Sequence, residues 1–358
     1  MKKRKFSFKK TALFFIVLIL LVILGFLGIF VFETSSVGGN KSLDFEVEQG
    51  DTYYTLSDKL KENDLIKSEF FYKLFIKIKK PGKLVLGEYE LNKNMSVKDI
   101  INTLSDEKNT KDTSIKLTLK EGTSVSKFAG TLEDKTDIKA SEFLEKINEE
   151  EFLDELIKDY WFITDEVKNS DIYYSLEGYL YPDTYSFEKH ELEVEKIVRI
   201  ILDNTDKKLS EMKADIESSS LSVHKLLTLA SLIELEAGSL EDRAMVSGVF
   251  YNRLNRNWSL GSDVTTYYSA KKAMTETLTK ADLDACNGYN TRCVTMKGLP
   301  VGPIDNPGIT SIKAAVNPTK NDYYYFVADS NKKVYFTKNA TEHANIIAKL
   351  KKEGKWIG

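Results

Sequence analysis

The chain has 358 residues, 51 Lys and Arg against 54 Asp and Glu, a net charge of −3, and 42% hydrophobic residues. That length allows two or three domains with sizeable cores, and the balance excludes global disorder. With 19 Gly and 6 Pro it is not collagen-like or Pro-rich; two Cys exclude a disulfide-stapled miniprotein, and His190, His224 and His343 are too scattered to suggest a zinc site. No metal or cofactor is expected.

The first ten residues, MKKRKFSFKK, hold six Lys or Arg and no acid, whereas the remainder carries 45 basic and 54 acidic residues. An acidic body lacks the basic footprint that nucleic acid requires, so no nucleic-acid partner is expected. The asymmetry points to a membrane instead. Residues 12–32 contain no charged side chain. At about 1.5 Å per residue, such a helix spans the roughly 30 Å hydrocarbon core. The run is longer than the roughly 7–15 residues of a signal-peptide core, and no A-x-A site follows. The expectation is an uncleaved single-pass anchor. By the positive-inside rule, residues 1–11 form a cytoplasmic tail and the rest of the chain lies outside the cytoplasm.

Residues 33–43 are small and polar, a linker. From Asp44 the chain predicts a strand, a turn at Gly50-Asp51, a helix from about Thr52 and a second helix started by Ser68. Residues 84–104 alternate and then turn helical, as a strand plus a helix would. A weaker copy of the first pattern follows at 115–143. Gly50, Leu56, Leu60 and Ile66 recur as Gly122, Phe128, Leu132 and Ile138, and Ser68-Glu69-Phe70 as Ser141-Glu142-Phe143. This predicts a duplicated strand–turn–helix–helix unit, with one module at 44–110 and a second related module or connector at 111–175.

A third region, 176–358, has a different texture. LEGYLYPDTYSF at 176–187 is rich in Gly, Pro and Tyr, and 191–217 reads as a charged helix. VHKLLTLASLIELEAG at 223–238 is a helix apolar nearly all round, hence buried. VFYNRL at 249–254 belongs to another helix. Residues 286–308 form an irregular loop, and 324–329 with 333–338 form a β-hairpin around Ser330-Asn331. The fold class is α+β. Cys286 and Cys293 either close a small loop disulfide or stand as two thiols; the sequence leaves both open.

Glu234 and Glu236 are the unusual feature, two acids in an otherwise apolar helix. A buried carboxyl costs free energy unless paired or protonated, and burial raises its pKa toward the range of a general acid. Two residues apart, they project about 200° from one another and cannot face each other as a glycosidase pair. Periodicity does not choose between them, because Glu234 shares a stripe with Leu227 and Ala230, and Glu236 shares one with Leu229 and Leu232. Either acid is alternatively a surface residue of a last turn stopped by Gly238. Asp183 is a second acid or a turn residue after Pro182, Asp263 a second acid or a helix cap, and Arg253 a carboxylate holder or a surface pair. GxSxG, P-loop, Cys-His and HExxH patterns are absent.

LEGYLYPDTYSF, ASLIELEAG, VFYNRL, YNTR, GLPVGPIDNPG, YYFVAD and FTKNATEH, in that order, resemble the YceG-like family of endolytic murein transglycosylases. The resemblance covers residues from about 44 to the end, plus the anchor. It implies a LysM-like module at 44–110 and a transglycosylase domain at 176–358. It places the catalytic acid at Glu234 of ASLIE, with Glu236 as the second acid. Further cleft residues would be Glu177, Tyr181, Asp183, Asn252, Arg253, Asp263, Tyr289, Asn290, Pro300 and Asn306. Two stretches depart from the family pattern. Ser262-Asp263-Val264-Thr265 stands where S-D-P-T is usual, and Asn287-Gly288-Tyr289-Asn290-Thr291-Arg292 where S-P-Y-N-T-Y is usual.

The implied chemistry needs one carboxyl. It protonates the glycosidic oxygen between N-acetylmuramic acid and N-acetylglucosamine, then takes the proton from the muramic C6 hydroxyl as this attacks C1 and closes a 1,6-anhydro ring. The implied partners are peptidoglycan glycan strands, the cytoplasmic membrane through one helix, and peptidoglycan synthases whose strands would be terminated. The alternatives are a muramidase-type hydrolase, with Asp183 or Asp263 activating water, and a non-catalytic peptidoglycan-binding scaffold.

Overall fold

The computed structural model describes residues 8–111, 114–188 and 192–356. The chain opens with a long helix, α1 (Phe8–Thr34). Its segment Ala12–Thr34 is long and apolar enough to cross a membrane, and residues 12–29 of it are exposed. The chain divides into two compact units, one ending at Ser114 and one formed by Ile115–Phe187 and the chain from Glu191 on.

In the first unit, β1 (Ser42–Val47) is followed by α2 (Leu56–Glu62) and α3 (Glu69–Lys79), then β2 (Gly87–Asn92) and α4 (Val97–Leu104). β1 pairs antiparallel with β2, Phe45 opposite Tyr89 and Leu43 opposite Leu91. The period-2 alternation turns Phe45, Val47, Tyr89 and Leu91 onto a core shared with Leu56, Leu60, Tyr72 and Ile100. α3 begins where Ser68 Oγ accepts from the Phe71 N–H, as its N-cap position requires. A reciprocal capping box between Ser96 and Asp99 starts α4.

The second unit repeats that order. β3 (Ile115–Leu119) leads through α5 (Val125–Lys135), α6 (Ala140–Lys146) and α7 (Glu150–Asp159) to β4 (Asp183–Phe187), its antiparallel partner. Gly50 and Gly122, the matched turn glycines, both have positive φ (94° and 71°), which an L side chain rarely adopts. The matched positions Leu56 and Phe128, Leu60 and Leu132, and Ile66 and Ile138 are all buried.

The expected division near residue 175 is not a division of the fold. β4 lies beyond it yet pairs with β3, and one continuous core runs from Leu117 and Phe128 through Leu156 and Ile201 to Leu229 and Ala315. The reason is the pairing requirement: among the described residues β3 has its ladder from β4 alone.

The remaining elements are α8 (Val194–Ser210), α9 (Lys213–Ser218), α10 (Val223–Glu236), α11 (Leu240–Asn255), α12 (Asp263–Ser269), α13 (Lys280–Asp284), α14 (Ile309–Val316), a hairpin of β5 (Tyr325–Ala328) and β6 (Val334–Thr337), and α15 (Ala340–Lys352). α10 is central. Leu226 through Ile233 are all buried, and α11 and α14 pack against it. Residues 286–308 contain no helix or strand, and Cys286 and Cys293 within them are joined as a disulfide.

Candidate active site

α10 ends at Glu236, so both acids fall in its last turn. Glu234 accepts from Arg243 Nη2 at 2.6 Å on one oxygen and from the Gly308 N–H at 3.0 Å on the other. Its side chain is 6% exposed and that of Arg243 12%. Arg243 also reaches the Ala237 carbonyl and the Thr310 hydroxyl, tying α10, α11 and α14 together. A Cβ at Gly308 would meet the Glu121 carboxyl, the end of an exposed side chain, which would have to move aside.

Glu236 points elsewhere. It lines a cavity of about 740 Å³, with Arg253, Trp258, Ser262, Asp263, Arg292, Tyr325, His343 and Trp356 among its walls. Ser262 Oγ donates to Glu236 Oε1. Burial pushes the Glu236 carboxyl above the ordinary carboxylate range, Ser262 and the nearby Arg253 and Arg292 pull it back, and Asp263 adds to the rise. Asp263, the other carboxyl in the cavity, is ion-paired with Arg292 Nε. It is the first residue of α12, and Ser262 precedes it.

The cavity wall is held by a buried hub at Thr291. Its hydroxyl receives the Ser262 N–H at 3.0 Å and lies 2.8 Å from the Thr265 hydroxyl, and its carbonyl receives the Gly261 N–H at 3.1 Å. Thr291 lies within the Cys286–Cys293 loop. Arg253 donates Nε to the Tyr324 carbonyl at 2.7 Å and also reaches the Leu260 carbonyl. Arg256 stacks over Tyr324 at 4.1 Å, and Trp258 packs on the same ring.

Of the residues singled out from the sequence, Glu236, Arg253 and Asp263 therefore share one cavity. The others do other work. Glu177 is buried and accepts from the Val125 N–H at 2.8 Å and the Tyr268 hydroxyl at 3.0 Å; desolvation pushes its carboxyl up to about 8. Asn306, also buried, clamps the N–H groups of Gly178 and Leu180 with its carbonyl and donates to the Thr123 carbonyl. Tyr289 packs in the core with its ring tilted against those of Tyr173 and Tyr268. Asn290 holds the 286–293 loop by donating to the carbonyls of Asp282, Leu283 and Ala285. Asn252 fastens α11 to Asn321 and Tyr323.

Tyr181 is half-buried and its N–H donates to Thr205. Asp183 is exposed at the start of β4 and accepts from Asn204. Pro300 lines a second cavity of about 470 Å³ with His224 and Glu166. These residues build the frame because buried polar groups must be satisfied, and a motif shared by relatives does not distinguish a frame residue from a contact. Sequence reasoning missed Arg243, Ser262, Trp258 and Trp356. Only Trp258 carried a signal, a large ring in a polar segment beside Arg253.

Fold and site together define an α+β protein with an apolar N-terminal helix and a cavity in which the one carboxyl outside an ion pair, that of Glu236, is half-buried. The chain belongs to the YceG-like family, whose pattern it matches over residues 45–349. It is 36% identical over 303 residues to the endolytic murein transglycosylase of Bacillus subtilis strain 168, covering 84% of this chain and 83% of that protein. It is 33% identical over 316 residues to the endolytic murein transglycosylase of Streptococcus pneumoniae D39, covering 84% of this chain and 57% of that longer protein. A crystal structure of a YceG-like protein from Listeria monocytogenes superposes with a TM-score of 0.61 at 32% identity, covering 86% of this chain and all of that one.

Proposed function

We propose that this chain is an endolytic peptidoglycan lytic transglycosylase and that Glu236, rather than Glu234, is its acid. The observation that carries the assignment is the difference in environment between the two. Both oxygens of Glu234 are committed to Arg243 and Gly308, in a pair whose disruption would leave a buried guanidinium unpaired. Glu236 faces the large cavity, with one hydrogen bond and a carboxyl raised by burial. A raised carboxyl is protonated when it meets the glycosidic oxygen and basic enough afterwards to accept the muramic C6 hydroxyl proton.

In this reading Glu236 donates its proton as the bond between N-acetylmuramic acid and N-acetylglucosamine breaks. As carboxylate it removes the C6 hydroxyl proton while that oxygen bonds to C1. No water is consumed, and the product carries a 1,6-anhydro end. Trp258, Tyr325 and Trp356 offer faces on which sugar rings stack, and Arg253 and Arg292 bound the polar side. The name shared by the Bacillus and Streptococcus relatives supports the same substrate. A muramidase would need a second carboxylate free to activate water, and Asp263 is occupied by Arg292. In the same reading, α1 anchors the chain in the cytoplasmic membrane with the two units outside, a LysM-like module at 44–110 binds glycan, and cleavage ends the elongation of strands made by neighbouring synthases.

The test is product analysis. The chain and its Glu236→Gln and Glu234→Gln variants are incubated with uncrosslinked glycan strands, and the ends are read by mass spectrometry. Anhydro ends, one water lighter than hydrolytic ends, made by the wild type and Glu234→Gln but lost in Glu236→Gln, are expected. Reducing ends would establish a hydrolase, and loss in Glu234→Gln alone would return the role to Glu234.

A further inference from the structure

The first unit carries an apolar surface that its own core does not use. α3 reads EFFYKLFIKIK. Tyr72, Phe75 and Ile76 turn into the core. Phe70, Leu74 and Ile78, spaced i, i+4, i+8 with Phe71 beside them, form a second stripe. Phe70 is 65% exposed and Ile78 59%. Single exposed apolar side chains need no explanation, but a continuous stripe on one helix does.

The stripe adjoins the apolar helix. Phe71 packs on Phe26 and Phe30 with ring centroids 6.2 Å apart, and Phe75 stacks on Phe30. Lys67 donates to the Phe32 carbonyl at 3.1 Å and to Ser35 at 2.9 Å, fixing the end of α1 to the start of α3. Phe26 lies six residues before Phe32, where the uncharged run ends. At 1.5 Å rise per residue that is about 9 Å inside the end of the run. The contacts of α3 therefore reach a level that the bilayer occupies if α1 spans it. Lys77, Lys79, Lys80 and Lys83 are exposed at the C-terminal end of α3, and Glu69 is the one acid between 69 and 84.

We propose that α3 lies in the interface of the leaflet from which α1 emerges, with Phe70, Leu74 and Ile78 among the acyl chains and Lys77, Lys79, Lys80 and Lys83 on anionic lipid headgroups. An interfacial helix buries its apolar face roughly 5–10 Å into that boundary and holds its lysines at headgroup level. The depth set by Phe26 and Phe30 matches this placement. The unit is then held at the membrane by two elements, and α1 no longer acts as a swivel. The inference rests on the reading of α1 as a membrane span.

The test uses the full chain in nanodiscs of mixed phosphatidylglycerol and phosphatidylcholine. Single cysteines are introduced at Phe70→Cys, Ile78→Cys, Leu20→Cys within α1 and Asn102→Cys on the exposed face of α4, and each is spin-labelled; Cys286 and Cys293 are bonded to each other and do not label. Accessibility to oxygen, which partitions into lipid, is compared with accessibility to a water-soluble nickel complex. The oxygen-to-nickel ratio at 70 and 78 is expected to approach that at 20, several-fold above that at 102, and to fall when phosphatidylglycerol is omitted. A water-like ratio at 70 and 78 with a lipid-like ratio at 20 would overturn the docking and leave the anchor standing. A water-like ratio at 20 would overturn both. Shielding of 70 and 78 from both reagents would mean that protein covers the stripe, which also overturns the proposal.

Discussion

Glu234 and Glu236, two residues apart on α10, bind opposite partners: Glu234 is held by Arg243 of α11, and Glu236 by Ser262 before α12. The separation of about 200° that two residues impose on a helix makes this division unavoidable. One acid ties helices together and the other faces the cavity.

Replacing each acid should therefore give different defects. Glu236→Gln is expected to lower kcat by about 100-fold or more, the usual worth of a general acid, with little change in stability. Glu234→Ala is expected to cost about 3–5 kcal/mol of stability, because it leaves Arg243 buried without its carboxylate. Urea unfolding followed by circular dichroism, alongside product assays at a temperature where both variants are folded, separates the two.

Ser262 should tune the acid. Its hydroxyl donates to Glu236, which favours the charged form and lowers the carboxyl's pKa against the rise due to burial. Asp263 raises it, and Arg253 and Arg292 lower it. Ser262→Ala should raise the pKa further, so the acid stays protonated to higher pH. The alkaline limb of the kcat/KM profile is expected to move up while kcat falls several-fold, and Ser262→Thr should restore both. An unmoved limb in the alanine variant would remove Ser262 from the mechanism.

Glu177 should make stability fall as pH rises. Its folded carboxyl sits at about 8 against an ordinary 4.5. Between those values the folded state holds a proton that the unfolded state has released, so stability from this group is complete below about pH 4.5 and is lost as pH rises toward 8. Glu177→Gln removes that titration. Its Tm is expected to decline less between pH 5 and 8 than that of the wild type, as measured by calorimetry.

Reduction of Cys286–Cys293 should weaken both fold and site. The bond closes a loop with a sequence separation of 7. By chain entropy, closing so small a loop is worth about 2–3 kcal/mol. The loop also carries Thr291, which receives the Ser262 N–H. A dithiol reductant is expected to lower Tm by several degrees and to reduce turnover, and Cys286→Ser with Cys293→Ser should behave the same in the absence of reductant. Unchanged turnover after complete reduction would show that the hydrogen bonds of Asn290 and Thr291 hold the loop without the disulfide.

Local order determined most of the secondary structure. The apolar run at 12–32, the Ser68 start of α3, the buried periodicity of α10 and the hairpin at Ser330-Asn331 could all be read from the sequence, because each depends on neighbours within a few residues. The repeat was legible too, since Gly50 and Gly122 need the same backbone conformation. The extent of the second unit was not, because the β3–β4 pairing joins residues 115–119 to 183–187.

The site followed the same rule. The sequence by itself determined that α10 carries two acids and that at most one could face a given cleft. Which one depended on Arg243, nine residues on, and on Ser262, twenty-six on, and a helical period contains neither. Motif resemblance gathered Glu177, Tyr289 and Asn306 with the cleft residues, although they are buried frame. Only tertiary structure separates the two classes, because burial and hydrogen-bond satisfaction are properties of the packed chain.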